Sequence, residues 1–485
     1  MDDFVNVQIN TKKETPALLR KLFVLALPIV GQNLINVSVG LADNLMVGSL
    51  GEYAVAGVHL ANQVQIILFM LVMGIAATIT LLASQYWGKR DISSIKDIVA
   101  IGFKIAVSVG LLLNIIVWFN PYGVLRIFSN NEYAIQQGAT YLRIIAFSYV
   151  FFCITQMLMA TMRCIEVVKI AFIVAICTLI ISVSLNYMLI FGNFGMPALG
   201  IRGAAIGTLS ARIVETIVMI VYVRFIDKRL KLRFRDLLKN NRILLGDFIR
   251  NGTPIITGDI LWGVAMTAQT AIIGRLGASA IASQNVTGVM FQFVTVVIWG
   301  TSAACGVIIG KTVGTGNYEL VKHYARVMQK VFVFLGVITM IIFFSLREFF
   351  LARYNFTPET IVIARQFITI AALSSLFISY AAPCFIGIIR AGGDTKFVLK
   401  VDGVCAWLIV LPLSFIAAFV FEFPPHIVYI FLRLDQFFKW IIAFFKTNSF
   451  TWIKNLTRTN ENDNENNNYK EGAHETNNTI EPELN

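Results

Sequence analysis

The chain has 485 residues, 57% of them apolar and only 14% charged, with a mean hydropathy of +0.72. Soluble domains carry about a quarter charged residues, so a water-soluble globule is excluded and an all-α, polytopic membrane protein is predicted. The net charge of +12 reads as a topology signal, because the basic residues gather in particular loops, and calls for no nucleic-acid partner.

Windows of about twenty apolar residues predict twelve transmembrane helices, at 22–47, 56–84, 98–119, 139–161, 168–191, 203–225, 253–274, 282–310, 327–346, 361–388, 397–421 and 425–445. The first opens with a charged tail and Pro28 and runs past twenty residues, as a spanning helix does and a cleaved signal peptide does not. Six spans fall on each side of a basic stretch, Arg224–Arg250. The expected organisation is a first six-helix lobe (1–225), a cytoplasmic basic linker (226–250), a second six-helix lobe (251–457) and a tail (458–485). The tail is rich in Asn, Glu and Thr with almost nothing apolar to bury, so it is expected to be disordered.

Charge between the spans is one-sided. Lys89, Arg90 and Lys96, Arg163 and Lys169, Lys311, Lys322 and Arg326, and Arg390, Lys396 and Lys400 mark the even loops, and Lys228–Arg242 marks the centre. The positive-inside rule then places both termini in the cytoplasm of a cell (inner or plasma) membrane, with anionic lipid as a partner. The six cysteines have no metal-ligand or disulfide spacing.

The stretch Val24–Asp91 is written a second time at Arg250–Asn317, without a gap and at an offset of 226 (254 − 28): Pro28 falls on Pro254, Gly48 on Gly274, Gly74 on Gly300 and Gly88 on Gly314. Two even-numbered halves entering from one side are parallel repeats about an axis along the membrane normal. A cavity is expected between them.

Ionisable residues inside spans face the bundle interior or a functional path. On the first helix Gln32, Asn36 and Asp43 fall within an arc of about 40° at 100° per residue. Asp43 also lies near the helix end, where headgroup contact is the plainer reading. Asp259 stands in the seventh helix where the first has Asn33, either as an interior acid or as a carboxylate on the helix N-terminus after Thr253-Pro254. Asp402 follows Lys396 and Lys400, so an interfacial ion pair competes with a coupling role. Asn186, mid-way along the fifth span, is a candidate partner for a protonated acid or a helix–helix contact. Gln269 is the repeat equivalent of Asp43 (43 + 226), and it can hydrogen-bond but not titrate. No phosphate loop, H-E-x-x-H or nucleophile elbow is present, so no enzyme is expected.

Leu25-Ala-Leu-Pro-Ile, then Asp43-Asn-Leu-Met-Val-Gly-Ser-Leu-Gly51 and Ala54–Ala61, resemble the multidrug and toxic compound extrusion (MATE) family. Gly252-Thr-Pro254, Asp259-Ile-Leu-Trp262 and Gly274-Arg-Leu-Gly277 resemble its second repeat, and Ile389-Arg-Ala-Gly-Gly-Asp-Thr-Lys396 is a third landmark. Its first-half counterpart, Met162–Lys169, is degenerate. The resemblance implies two V-shaped lobes exporting small organic, often cationic compounds in exchange for H⁺ or Na⁺. Asp43 is the implied coupling acid, with Na⁺ one candidate occupant, and Asp259 matches an acid that relatives write as Glu. Two family acids are absent: Ile190 stands one turn after Asn186, and Ile361–Ile389 holds no carboxylate. No cofactor is expected beyond the coupling ion, and the chain is expected to act as a monomer.

Two other readings stay open. A lipid-linked oligosaccharide flippase would need a cage of cations for pyrophosphate, whereas Lys104, Arg143, Arg212, Arg365 and Arg433 lie on separate helices. A non-transporting scaffold has no reason to bear a polar stripe through Asp43.

Overall fold

The computed structural model describes residues 11–354 and 356–458. Its helices, in order, are the first (Thr11–Gly48), second (Glu52–Lys89) and third (Ile92–Phe119), a bent fourth (Glu132–Ile145 and Ser148–Cys164), the fifth (Lys169–Phe191) and the sixth (Ile201–Val221). The seventh (Arg242–Gly274), eighth (Ala278–Gly314), ninth (Tyr318–Leu351) and tenth (Pro358–Ala382) follow. The eleventh runs from Thr395 to Phe419 and the twelfth is Pro425–Ser449. Ten of these, and the pair bent by 52°, are long and apolar enough to cross a membrane. The twelfth has 25 residues but carries Arg433, Asp435, Lys439 and Lys446, and its length suffices for a bilayer. Residues 242–250, assigned to the linker by composition, are already helical.

The duplication is visible in the backbone. Helix ends at Gly48 and Gly274, starts at Glu52 and Ala278, and starts at Ile92 and Tyr318 all differ by 226 (274 − 48, 278 − 52, 318 − 92). The turns between carry Gly51 at φ 101 and Gly277 at φ 107, a left-handed conformation that glycine adopts without strain.

The same symmetry governs how the halves meet. The first helix packs against the eighth and the seventh against the second, with Gly300 receiving Val30 and Gly74 receiving Ile256. Further along, Gly88 faces the carbonyl of Lys311 and Gly314 faces that of Gln85. Each of these contacts is the other moved by 226, which places a pseudo-twofold axis between the second and eighth helices. Small residues at such crossings let backbones approach closely without a bulky side chain between them.

Those glycine crossings lie toward the basic face, where the halves are tied. Glu166, on the turn before the fifth helix, pairs with Lys21 at 2.7 Å and with Lys311 of the other half at 3.0 Å. Burial alone would raise the Glu166 carboxyl, but the bonds and charges of Lys21 and then Lys311 hold it below the usual glutamate range. The repeat equivalents of this triad are Asp247, Gly392 and Gln85, which cannot form the same lock. A strap of chain after the twelfth helix bridges them instead. Trp452 is fully buried beneath Gly392, and the Lys454 amide donates to the Gly392 carbonyl at 2.7 Å. Gln85 Oε1 accepts from the Leu456 amide at 2.8 Å, and Asp247 pairs with Arg458 at 2.6 Å.

Arg458 therefore belongs to this strap and not to a free tail. Its partners lie on the second and seventh helices, which local composition cannot register. The rest of the predicted tail, 459–485, lies outside the described residues. A chain ending at Arg458 should melt like the full-length protein in detergent, whereas one ending at Ser449 should lose the order of 3–5 kcal/mol with its buried Trp. Equal melting temperatures for the two would show that the strap holds nothing.

At the other end, a Cβ added at Gly40, Gly48, Gly274 or Gly288 would meet nothing within 4 Å.

Candidate functional site

Asp43 lies on the last turns of the first helix, half-buried within the first lobe. Asn186 Nδ2 donates to its Oδ1 at 2.8 Å, and Ser182 Oγ, one turn earlier on the fifth helix, reaches the same oxygen at 3.5 Å. Gly207 of the sixth helix lies directly against Asn186 Oδ1, where any Cβ would collide. The missing side chain at Gly207 leaves room for the amide beside Asp43. Arg212, one to two turns further along, is near enough for its charge to act on Asp43 and on Tyr141. The guanidinium is itself neutralised by Glu215 at 2.7 Å and rests on the Phe152 ring. Among the described residues Asp43 Oδ2 has no hydrogen-bond partner. One oxygen is fixed and the other is available, which is the arrangement a carboxylate needs to take and release a proton or a cation.

The polar stripe predicted on the first helix does not act as a unit. Gln32 is buried and donates to the Met159 sulfur at 3.1 Å, while Asn36 is exposed. Equal angular position did not give equal surroundings, because the first helix packs against different neighbours along its length. Ser182, Tyr141 and Arg212 complete the surroundings of Asp43; the first two were not singled out from the sequence, and Arg212 was noted only as one of several scattered cations. Ser182 carried the one usable signal, a spacing of four from Asn186 that puts both on one helix face.

In the second half the acids are paired. Asp259 is mid-helix, since the seventh helix begins at Arg242, so a helix-start carboxylate is not what it is. Arg390 grips it through two bonds, each 3.3 Å. Asp402 bonds to neither Lys396 nor Lys400; its partner is Lys439 of the twelfth helix at 2.9 Å, which also holds Asp435 at 3.2 Å. Gln269 is half-buried on the seventh helix with no hydrogen bond among the described residues. Asp43 and Asn186 are thus brought together, and Asp259, Asp402 and Gln269 belong to the other half.

Two six-helix halves related by a twofold axis, tied together at the basic face and bearing ionisable groups within the bilayer, define a duplicated membrane transporter. The MatE family model matches residues 28–188 and again 254–416, the starts separated by the same 226 (254 − 28), and the chain belongs to that family. It is 27% identical over 458 residues to a probable multidrug resistance protein NorM of Thermotoga maritima, spanning 93% of this chain and 96% of that one. It is 23% identical over 441 residues to the uncharacterized transporter YisQ of Bacillus subtilis, spanning 89% and 95%. Among solved structures, the Vibrio cholerae MATE transporter VcmN shares the fold with a TM-score of 0.83, over 91% of this chain and 99% of that one, at 15% identity.

Proposed function

We propose that this transporter is a secondary active exporter of small organic cations, exchanging them for H⁺ or Na⁺ at Asp43. The observation that carries this reading is the Asp43 carboxylate, one oxygen held by Asn186 and the other open, inside a lobe where an unused acid would be costly. Relatives named for multidrug resistance support the substrate class. An antiporter needs one site that holds either the coupling ion or the positively charged cargo, and a single carboxylate serves both. Dye uptake into inverted vesicles under separately imposed pH and Na⁺ gradients tests the proposal. Accumulation under neither gradient overturns it.

A pyrophosphate-binding flippase is disfavoured because the cations do not converge. Lys104 is engaged by the carbonyls of Leu238 and Lys239, Arg212 by Glu215, Arg365 by Glu348 and Arg433 by the Tyr429 hydroxyl.

The basic face is assigned to the cytoplasm, because Lys and Arg concentrate there. Single cysteines at Asn240 and Asn130 should be labelled from opposite sides of the membrane. Labelling of both from one side overturns this orientation.

A further inference from the structure

Three carboxylates and two cations lie together within the second half: Asp259 with Arg390, and Asp402 and Asp435 with Lys439. Asp402 is near enough to Asp259 for the two charges to interact, so the group carries one negative charge in excess. Within a bilayer such an excess is expensive unless a cation can join it.

The cations are more deeply buried than Asp259 and Asp402. The Lys439 side chain is 8% exposed and that of Asp435 7%, while that of Asp402 is 31% exposed. On the eleventh helix Lys396, Lys400 and Val404 occupy the exposed outer face, and Asp402 stands about 200° round from Lys400 at 100° per residue. Its accessible oxygens therefore face inward. Asp435 is further held by Gln436 Nε2 at 2.7 Å.

Resting on the cation-exporter reading, we propose that Asp402 is a second subsite for organic cations, and that Lys439 is an internal ammonium competing with the cargo for it. The geometry explains why two acids flank one lysine. When a cargo cation takes Asp402, Lys439 keeps Asp435, one turn away on its own helix, so neither the ammonium nor a carboxylate is left buried and alone. When the cargo leaves, Lys439 returns to Asp402 and helps to expel it. Lys439 acts through Asp402 and is a positioning residue.

The test is equilibrium binding of tetraphenylphosphonium, a permanently charged organic cation, to purified protein in detergent. Lys439→Met should bind it about tenfold tighter, because the internal competitor is gone, and adding Asp402→Asn should cancel the gain. Asp435→Asn should act oppositely and weaken binding several-fold, since Lys439 then has only Asp402 to hold. A purely structural lysine would give weaker binding together with a lower melting temperature, and no reversal at Asp435. Should Lys439→Met fail to fold, Asp435→Asn alone decides: unchanged or tighter binding overturns the subsite. Wild-type binding that a folded Lys439→Met leaves unchanged or weakens overturns the subsite and spares the exporter reading. No binding by wild type and Lys439→Met alike overturns both.

Discussion

Replacing Asp43 by Asn should abolish gradient-driven efflux, bringing dye movement to the level of vesicles without the protein. Asn is isosteric with the protonated acid, and its carbonyl oxygen can still accept from Asn186, now at 2.8 Å. The lobe should therefore fold, with stability changed by less than about 1 kcal/mol. What is lost is the ability of the group to change charge, and with it the exchange of cargo for ion. Because Gln269 holds the equivalent place in the other half and cannot titrate, no second copy can substitute. Wild-type accumulation against a gradient by Asp43→Asn would falsify the coupling role and leave Asp43 as an interfacial residue.

Gly88→Ala should force open the basic face, and Gly314→Ala should do the same to a similar degree. At both positions the added methyl would meet a backbone carbonyl, Lys311 in one case and Gln85 in the other. A backbone cannot swing aside as a side chain does, so the two helices must separate. Overpacking of this kind destabilises by about 1–3 kcal/mol, and here the strain falls on the closed state specifically, because those carbonyls belong to the opposing half. A cysteine at the fully buried Ser84 should then become reactive toward a water-soluble thiol reagent in either background, with transport reduced in parallel. Gly40→Ala and Gly288→Ala, which meet nothing within 4 Å, are the controls and should leave Ser84→Cys protected. Protection that persists in Gly88→Ala would mean that the two crossings do not hold the face shut.

The architecture was legible in the sequence because it rests on local and periodic signals. Apolar runs located the spans, and the fixed offset of glycines and prolines located both halves. Asp43 stood out for a similar reason: a charge inside an apolar helix is conspicuous without any knowledge of its neighbours. What surrounds Asp43 was decided only by the tertiary structure. Asn186 is 143 residues away, and its amide fits beside the acid because Gly207, on yet another helix, carries no side chain to displace it. Arg458 was read as polar tail, since its partner Asp247 lies 211 residues away, and no local signal pointed to a strap through Trp452. Asp402 shows the limit most plainly. Sequence proximity offered Lys396 and Lys400, but an eleventh helix with its outer face exposed carries those two away from Asp402, and packing supplies Lys439 from the twelfth. Periodicity says which way a side chain points along its own helix, and only the packing of helices says what it meets there.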